Sequence, residues 1–199
     1  EAARDQDGVL RELAADALGA WLGDAALEAL LVLAEDPVER VRASALGALE
    51  GWPDEPRALD TLLNGLAAQR WTVRMRAARA LGAFTDPQVD EALLEALVDP
   101  DSYVRTNAAD SLRARDPARY LDRLRRIADY PAPHLLDAAM ELLGAVGTPE
   151  DARFLDKVGS WLNLSQPGFI RRWARAAARC IRQRQKTPPG QGVLARTAP

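Results

Sequence analysis

The chain has 199 residues, 48% of them hydrophobic and only 6% aromatic, with a formal net charge of −3. That apolar content excludes a disordered chain, and the abundance of Ala and Leu over aromatics favours helix packing over a sheet core. No stretch approaches the roughly 18 apolar residues of a membrane span. The lone Cys180 excludes an internal disulfide framework, so a cytoplasmic setting is expected.

One pattern recurs along the chain: an aliphatic anchor, usually Arg next, then Ala four on and Leu eight on. Leu10, Arg11, Ala14 and Leu18 open the series and predict a helix over residues 6–19. A plainer amphipathic helix follows over 24–34, with Leu27, Leu30 and Leu31 on one face. Val41, Arg42, Ala45 and Leu49 predict an anchored helix over 38–50, and Leu59, Leu62, Leu63 and Leu66 a plain one over 57–67. Val73, Arg74, Ala77 and Leu81 give 70–83, and Leu93, Leu94 and Leu97 give 87–98. Val104, Arg105, Ala108 and Leu112 give 101–114, and Leu121, Leu124 and Ile127 give 117–128. Leu135, Ala139 and Leu143 place an anchored helix over 133–145 without the Arg. Phe154, Leu155, Val158 and Leu162 give 149–162, and Ile170, Arg171, Ala174 and Ala178 close the series over 168–184. Asp-Pro steps at Asp36, Asp86, Asp99 and Asp116 are expected to cap the helices they precede. Residues 187–199 have no apolar period and are expected to be a flexible tail.

The anchors fall at 10, 41, 73, 104, 135 and 170, spaced 31, 32, 31, 31 and 35 residues apart. A near-constant period of this size means stacked units, because one helix pair cannot bury its apolar face alone. The expected fold is an all-α, α-solenoid of about six repeats over residues 1–186, each built from a plain A helix and an anchored B helix. The first B helix has no A helix before it. Either it caps the stack, or the chain is a piece of a longer protein.

Charge is unevenly spread. Residues 1–68 carry a net −9, residues 69–162 a net −2 and residues 163–199 a net +8. A stack in sequence order is then acidic at its start and basic at its end. A monomer is expected at moderate salt, with the helix of Arg171, Arg172, Arg175 and Arg179 open to an acidic surface.

At Asp36, Val41 and Arg42 the pattern resembles the HEAT repeat, in the short bacterial form also found in phycobilisome lyase subunits. That family carries an Asp in the turn and an Arg six residues later. Asp5 with Arg11, Asp36 with Arg42, and Asp99 with Arg105 match. Arg74 and Arg171 keep the Arg, but Ala68 and Ser165 replace the Asp; Tyr130 and Leu136 depart at both places, marking a candidate bend. The resemblance implies that Asp36, Arg42, Arg74, Asp99 and Arg105 belong to a structural ladder of side-chain hydrogen bonds between neighbouring repeats. It also implies that B helices line the concave surface.

Signs of catalysis are thin. His134 is the only His, no Cys/His cluster exists, and no Gly-rich phosphate loop appears. No catalytic residue, cofactor or metal is expected. Asp110 and Glu141 are two carboxylates in equivalent repeat positions, with Asp137 nearby in sequence, and are read as solvated helix surface. Cys180 is read as a small buried hydrophobe.

Four successive repeats set an aromatic ring or His at the start of the B helix: Trp71, Tyr103, His134 and Phe169. Trp173 lies further along the last helix, and Arg76 and Arg172 add positive charge nearby. These residues either cover the A–B turns or form a row of partner-binding anchors, since aromatics and Arg dominate binding hot spots. The expected function is a non-enzymatic protein-interaction scaffold, binding a partner protein or another domain of its own chain. Two alternatives stand beside it. One is nucleic-acid binding of the kind seen in HEAT-like alkylpurine DNA glycosylases, which a pI near 5.3 disfavours. The other is a bilin lyase-type subunit, suggested by the repeat type alone.

Overall fold

The computed structural model describes residues 2–128, 136–161 and 168–186, apart from the side chains of 128, 158–161 and 168–171. Eleven α-helices and no strand occur among the described residues: α1 (Gly8–Leu18), α2 (Asp24–Leu33), α3 (Glu39–Ala48), α4 (Pro56–Leu66), α5 (Trp71–Ala80), α6 (Pro87–Ala96), α7 (Ser102–Arg113), α8 (Leu121–Ala128), α9 (Asp137–Val146), α10 (Pro149–Trp161) and α11 (Gly168–Lys186). The expected all-α class of stacked helix pairs is what the chain adopts. It divides into two compact units, Glu1–Tyr120 and Leu121–Pro199. The expected tail, 187–199, lies outside the described residues, as do Tyr130 and the anchor Leu135.

In the first unit α1, α3, α5 and α7 pack on one another in order, and α2, α4 and α6 back them. The anchor stripes explain the stacking. Val41, Ala45 and Leu49, then Val73, Ala77 and Leu81, then Val104, Ala108 and Leu112 are all buried to 2% exposure or less. Offsets of four and eight residues keep each stripe on one side of its helix. Small residues bring the backbones close. A Cβ on Gly65 of α4 would lie 2.9 Å from Leu46 Cδ1 and 3.0 Å from Ala77 Cβ, so hydrogen alone fits between α3 and α5.

The first repeat departs from this pattern. Leu10 is 45% exposed and Leu13 58%, and the seam position that closes is Ala15 instead of Ala14. Leu10, Ala14 and Leu18 share a face as expected, but among the described residues no A helix of their own repeat covers them.

Helix starts follow two rules, where one was expected. Asp86 and Asp116 cap with Pro in the first turn, accepting from Gln88 N (2.8 Å) and Ala118 N (3.0 Å). Asp36 and Asp99 do not cap. They accept from the N–H two residues on, in the turn, and the helices begin later, after Val38 and after the true cap Asp101. Their carboxylates are drawn toward guanidinium groups of the preceding B helices.

The fourth A helix, expected over 117–128, is broken at Tyr120. A 3-10 turn over Pro117–Arg119 precedes it and α8 follows. Tyr120 is 1% exposed and donates its hydroxyl to Leu112 O at 2.8 Å, so its ring closes the first core instead of continuing a helix.

In the second unit α9 and α10 pack against α11. A Cβ on Gly144 would stand 2.9 Å from Ala177 Cα, the same close seam as in the first unit. Ala174, Ala177, Ala178 and Ile181 face inward. Cys180 is exposed, which corrects the buried reading: an alanine-rich helix has several faces that look equally apolar in sequence, and α11 turns Arg179 and Cys180 outward. Leu136, expected to break the ladder, is buried at the start of α9.

Candidate functional site

The polar ladder sets the register on which everything else stands. Arg11 Nε and Nη2 donate to both oxygens of Asp36, at 2.6 and 2.9 Å, while Nη1 donates to Asp5 O and Gln6 O. Arg74 repeats this with Asp99 at 2.7 and 2.9 Å and with Ala68 O and Gln69 O. Each Arg thus ties its own turn by backbone carbonyls and the next turn by a carboxylate. The Asp36–Arg42 and Asp99–Arg105 matches are backbone contacts: Arg42 Nη1 donates to Asp36 O and Arg105 Nη1 to Asp99 O. Ala68 stands where the carboxylate for Arg42 would be, so among the described residues Arg42 bonds its own turn alone. The Arg11 hydrogen bond holds the Asp36 carboxyl below the usual carboxylate range against the opposing effect of burial, and Asp36 in turn raises Arg11.

Two further buried clusters were not read from the sequence. Arg115 bonds Asp90, Phe84 O and Asp86 O, and Arg119 adds a second contact to Asp90 at 2.8 Å. Burial pushes the neighbouring Tyr120 hydroxyl up to about 12. In the second unit Asp151 accepts from Arg125 at 2.6 Å and from Thr148 N and Oγ1 at 2.7 and 2.8 Å. Burial pushes Asp151 upward, but these bonds outweigh it and hold it lowered. The Thr148-to-Asp151 spacing has the form of a capping box, the signal that identifies this cluster.

With the Arg74–Asp99 rung tying α5 to the turn before α7, the first turns of these two helices bring Trp71 and Tyr103 face to face. Their ring centroids lie 5.3 Å apart with planes 25° from parallel. Trp71 remains 41% exposed and Tyr103 62%. Beside the stack, Arg70 pairs with Glu39 at 3.3 Å and the Thr72 hydroxyl bonds the same carboxylate. A shallow cleft runs on across α3 and α1, lined by Met75, Arg76, Ser44, Arg40 and Glu12. Gly47 leaves room for Arg76, whose Cδ and Nη1 would lie 3.6 Å from a Cβ there. The surface is therefore a ring platform beside a charged, alternating groove.

The remaining expected anchors belong to the second unit. His134 and the side chain of Phe169 lie outside them. Arg172 is exposed on α11 and Trp173 half-buried there, both in the second unit. Asp110 pairs with Arg113 at 2.7 Å, the arrangement of a solvated helix face. No group of His, Cys, Asp and Glu suited to a metal ion occurs among the described residues. No described helix is long and apolar enough to cross a membrane.

A family model described as HEAT repeats matches residues 1–82, 39–113, 59–140 and 90–179, which together span most of the chain. The chain belongs to the HEAT repeat family. Solved structures similar to this HEAT repeat chain include two engineered proteins. One is 19% identical with a TM-score of 0.55, covering 92% of this chain and 96% of its own. The other is 18% identical with a TM-score of 0.54, covering 92% and 94%. A designed armadillo repeat protein is 17% identical with a TM-score of 0.50, covering 90% and 96%. At these identities the likeness concerns the fold. No curated protein matches the HEAT repeat chain.

Proposed function

We propose that the chain is a non-enzymatic interaction scaffold whose B-helix layer holds an extended segment of a partner protein. The exposed Trp71–Tyr103 stack is the observation that carries this reading. Each ring already restrains the other, so binding costs little further ordering, and stacked aromatics offer broad contact area. The adjoining cleft supplies Arg76 and Met75 as the next contacts. A partner segment with an apolar side chain on the stack and an acidic one beside Arg76 matches this surface. The chain acts as a monomer at moderate salt, since exposed charges are screened over about 8 Å.

Selection of a displayed peptide library against the whole chain tests the reading. Enriched peptides are expected to share an apolar residue followed by an acidic one. The Trp71→Ala/Tyr103→Ala double variant is expected to lose about 2 kcal/mol or more of binding with helicity unchanged. Undiminished binding of the selected peptides to that variant removes the proposal.

A further inference from the structure

The turns that lead into α3, α5 and α7 share one backbone. Each opens on a residue whose N–H donates to the carbonyl three residues back: Asp36 to Leu33, Ala68 to Gly65 and Asp99 to Ala96, at 3.1, 3.2 and 3.2 Å. Two residues on, Val38, Arg70 and Asp101 have φ of −87°, −87° and −90° and ψ of 118°, 126° and 130°. An Arg in the following helix then closes each turn. Arg42, Arg74 and Arg105 donate Nη1 to the carbonyls of the turn's first two residues. The Cβ of Ala68 therefore leaves the backbone in the direction taken by those of Asp36 and Asp99.

The outer two turns show what this backbone is arranged to hold. The Asp36 carboxylate accepts from Nε and Nη2 of Arg11, on the preceding B helix, and from the Val38 N–H at 2.8 Å. The Asp99 carboxylate accepts from Nε and Nη2 of Arg74 and from the Asp101 N–H at 2.8 Å. At the middle turn the corresponding donors are Nε and Nη2 of Arg42 and the N–H of Arg70, and Ala68 offers them only a methyl group. Among the described residues Arg42 bonds through Nη1 alone, and the Arg70 N–H has no acceptor. The Arg42 guanidinium is half-buried and pinned by its own turn, so it keeps its aim without a carboxylate. Ala67, Gln69 and Arg70 are exposed, which opens the turn to solvent. Two parallel N–H groups of a guanidinium, with a third donor beside them, match the two oxygens of a carboxylate.

We infer that Arg42 and the Arg70 N–H form a binding site for a carboxylate of another molecule, which completes the ladder between α3 and the turn before α5 from outside the chain. The Ala68 methyl group bars the ligand from the place of an Asp Cγ, so the carboxylate enters from the solvent side and meets the donors with its oxygens. The site does not depend on the Trp71–Tyr103 platform.

The probe is sodium acetate, exchanged against sodium chloride at constant ionic strength so that screening stays fixed. The whole chain, labelled with 15N, is followed by NMR. The Arg42 Nε–H and Arg70 N–H signals are expected to shift saturably with one midpoint. Acetamide, neutral and similar in shape, is expected to leave both in place. Ala68→Asp supplies the carboxylate within the chain and is expected to abolish both shifts. Arg42→Lys keeps the charge but not the fork, and is expected to remove the saturable shift of the Arg70 N–H. A terminally blocked peptide with a single Glu is the second carboxylate source. Tighter binding of the peptide than of acetate assigns the donor to a protein side chain, and equal or weaker binding to a free small carboxylate; the site stands in either case. The inference is overturned if acetate moves neither signal, or moves the exposed Arg76 and Arg79 equally. It is overturned as well if Ala68→Asp responds as the unmodified chain does.

Discussion

Arg74 and Arg115 both stand 25 residues from the carboxylate they bond, but in opposite directions. Arg74 reaches forward to Asp99 in the next turn, and its side chain keeps 15% exposure. Arg115 reaches back to Asp90, and both side chains are 6% exposed. The forward rung is repeatable, because every turn can offer a carboxylate to the helix before it. The backward pair belongs to one place, where Tyr120 ends the first core and leaves polar groups with no following turn in that unit. Burial decides how costly each is to break. A partly wet guanidinium recovers water when its partner is lost, while a dry one is left charged and unsatisfied.

The largest effect expected from this contrast is at Asp90. Asp90→Ala leaves Arg115 as a buried charge and should destabilise the chain by about 3–5 kcal/mol in urea unfolding. A joint Asp90→Leu/Arg115→Met change should recover most of that loss, since removing both charges avoids the unpaired one. Asp99→Ala removes one rung and the bond to Asp101 N, and should cost about 1–3 kcal/mol. A loss at Asp99 equal to that at Asp90 would show that burial is not what separates the two.

Acid titration sharpens the picture of the forward rung. The Asp36 carboxyl is depressed in the folded chain by its bond to Arg11. A depressed carboxylate stabilises fully above its unfolded pKa, near 4, and the contribution disappears as pH falls through the lower folded value. The stability difference between the chain and Asp36→Asn should therefore be constant above about pH 5 and shrink below about pH 4. Urea midpoints taken down to about pH 3 check this, and a difference that grows with acid would contradict it.

The smallest effect lies at the missing rung. Ala68→Asp supplies the carboxylate that Arg42 lacks and an acceptor for the N–H of Arg70, as Asp36 does for Val38. A gain of about 0.5–1 kcal/mol is expected, because the site is only half-buried. Thermal unfolding of the single variant measures it.

Much of this was legible before any coordinates. The 3.6-residue period and the anchor spacing locate the helices to within a few residues, because both express how apolar side chains must line up to be buried. The Arg and Asp positions of the ladder were legible too, but not the direction of the bonds. Spacing within one repeat points Arg42 at Asp36, whereas the carboxylate is taken by Arg11 from the repeat before. The exposure of Leu10 was hidden for a related reason: a period shows which residues share a face, not whether another helix covers it. Tyr120 was absorbed into a helical pattern by Leu121 and Leu124, since nothing local marks a ring that seals a core. Trp71 and Tyr103 were placed in one row, but only coordinates show them touching.

The two-handed grip of each ladder Arg also bears on how such a chain can change length over generations. Arg74 stands six residues after Ala68, and Arg42 six after Asp36. A genetic deletion of residues 37–68 would join Asp36 directly to Gln69 and set Arg74 six residues after Asp36. Arg11 would keep its carboxylate, Arg74 would keep both Asp99 and a turn to tie, and the Arg42 rung, which lacks a carboxylate at Ala68, would vanish. Duplication of a whole period preserves the ladder in the same way, while an insertion of a few residues between an Asp turn and the Arg six residues after it separates that Arg from its own turn. The unit that recombination can add or remove here is therefore the repeat, with its boundary in the Asp turn.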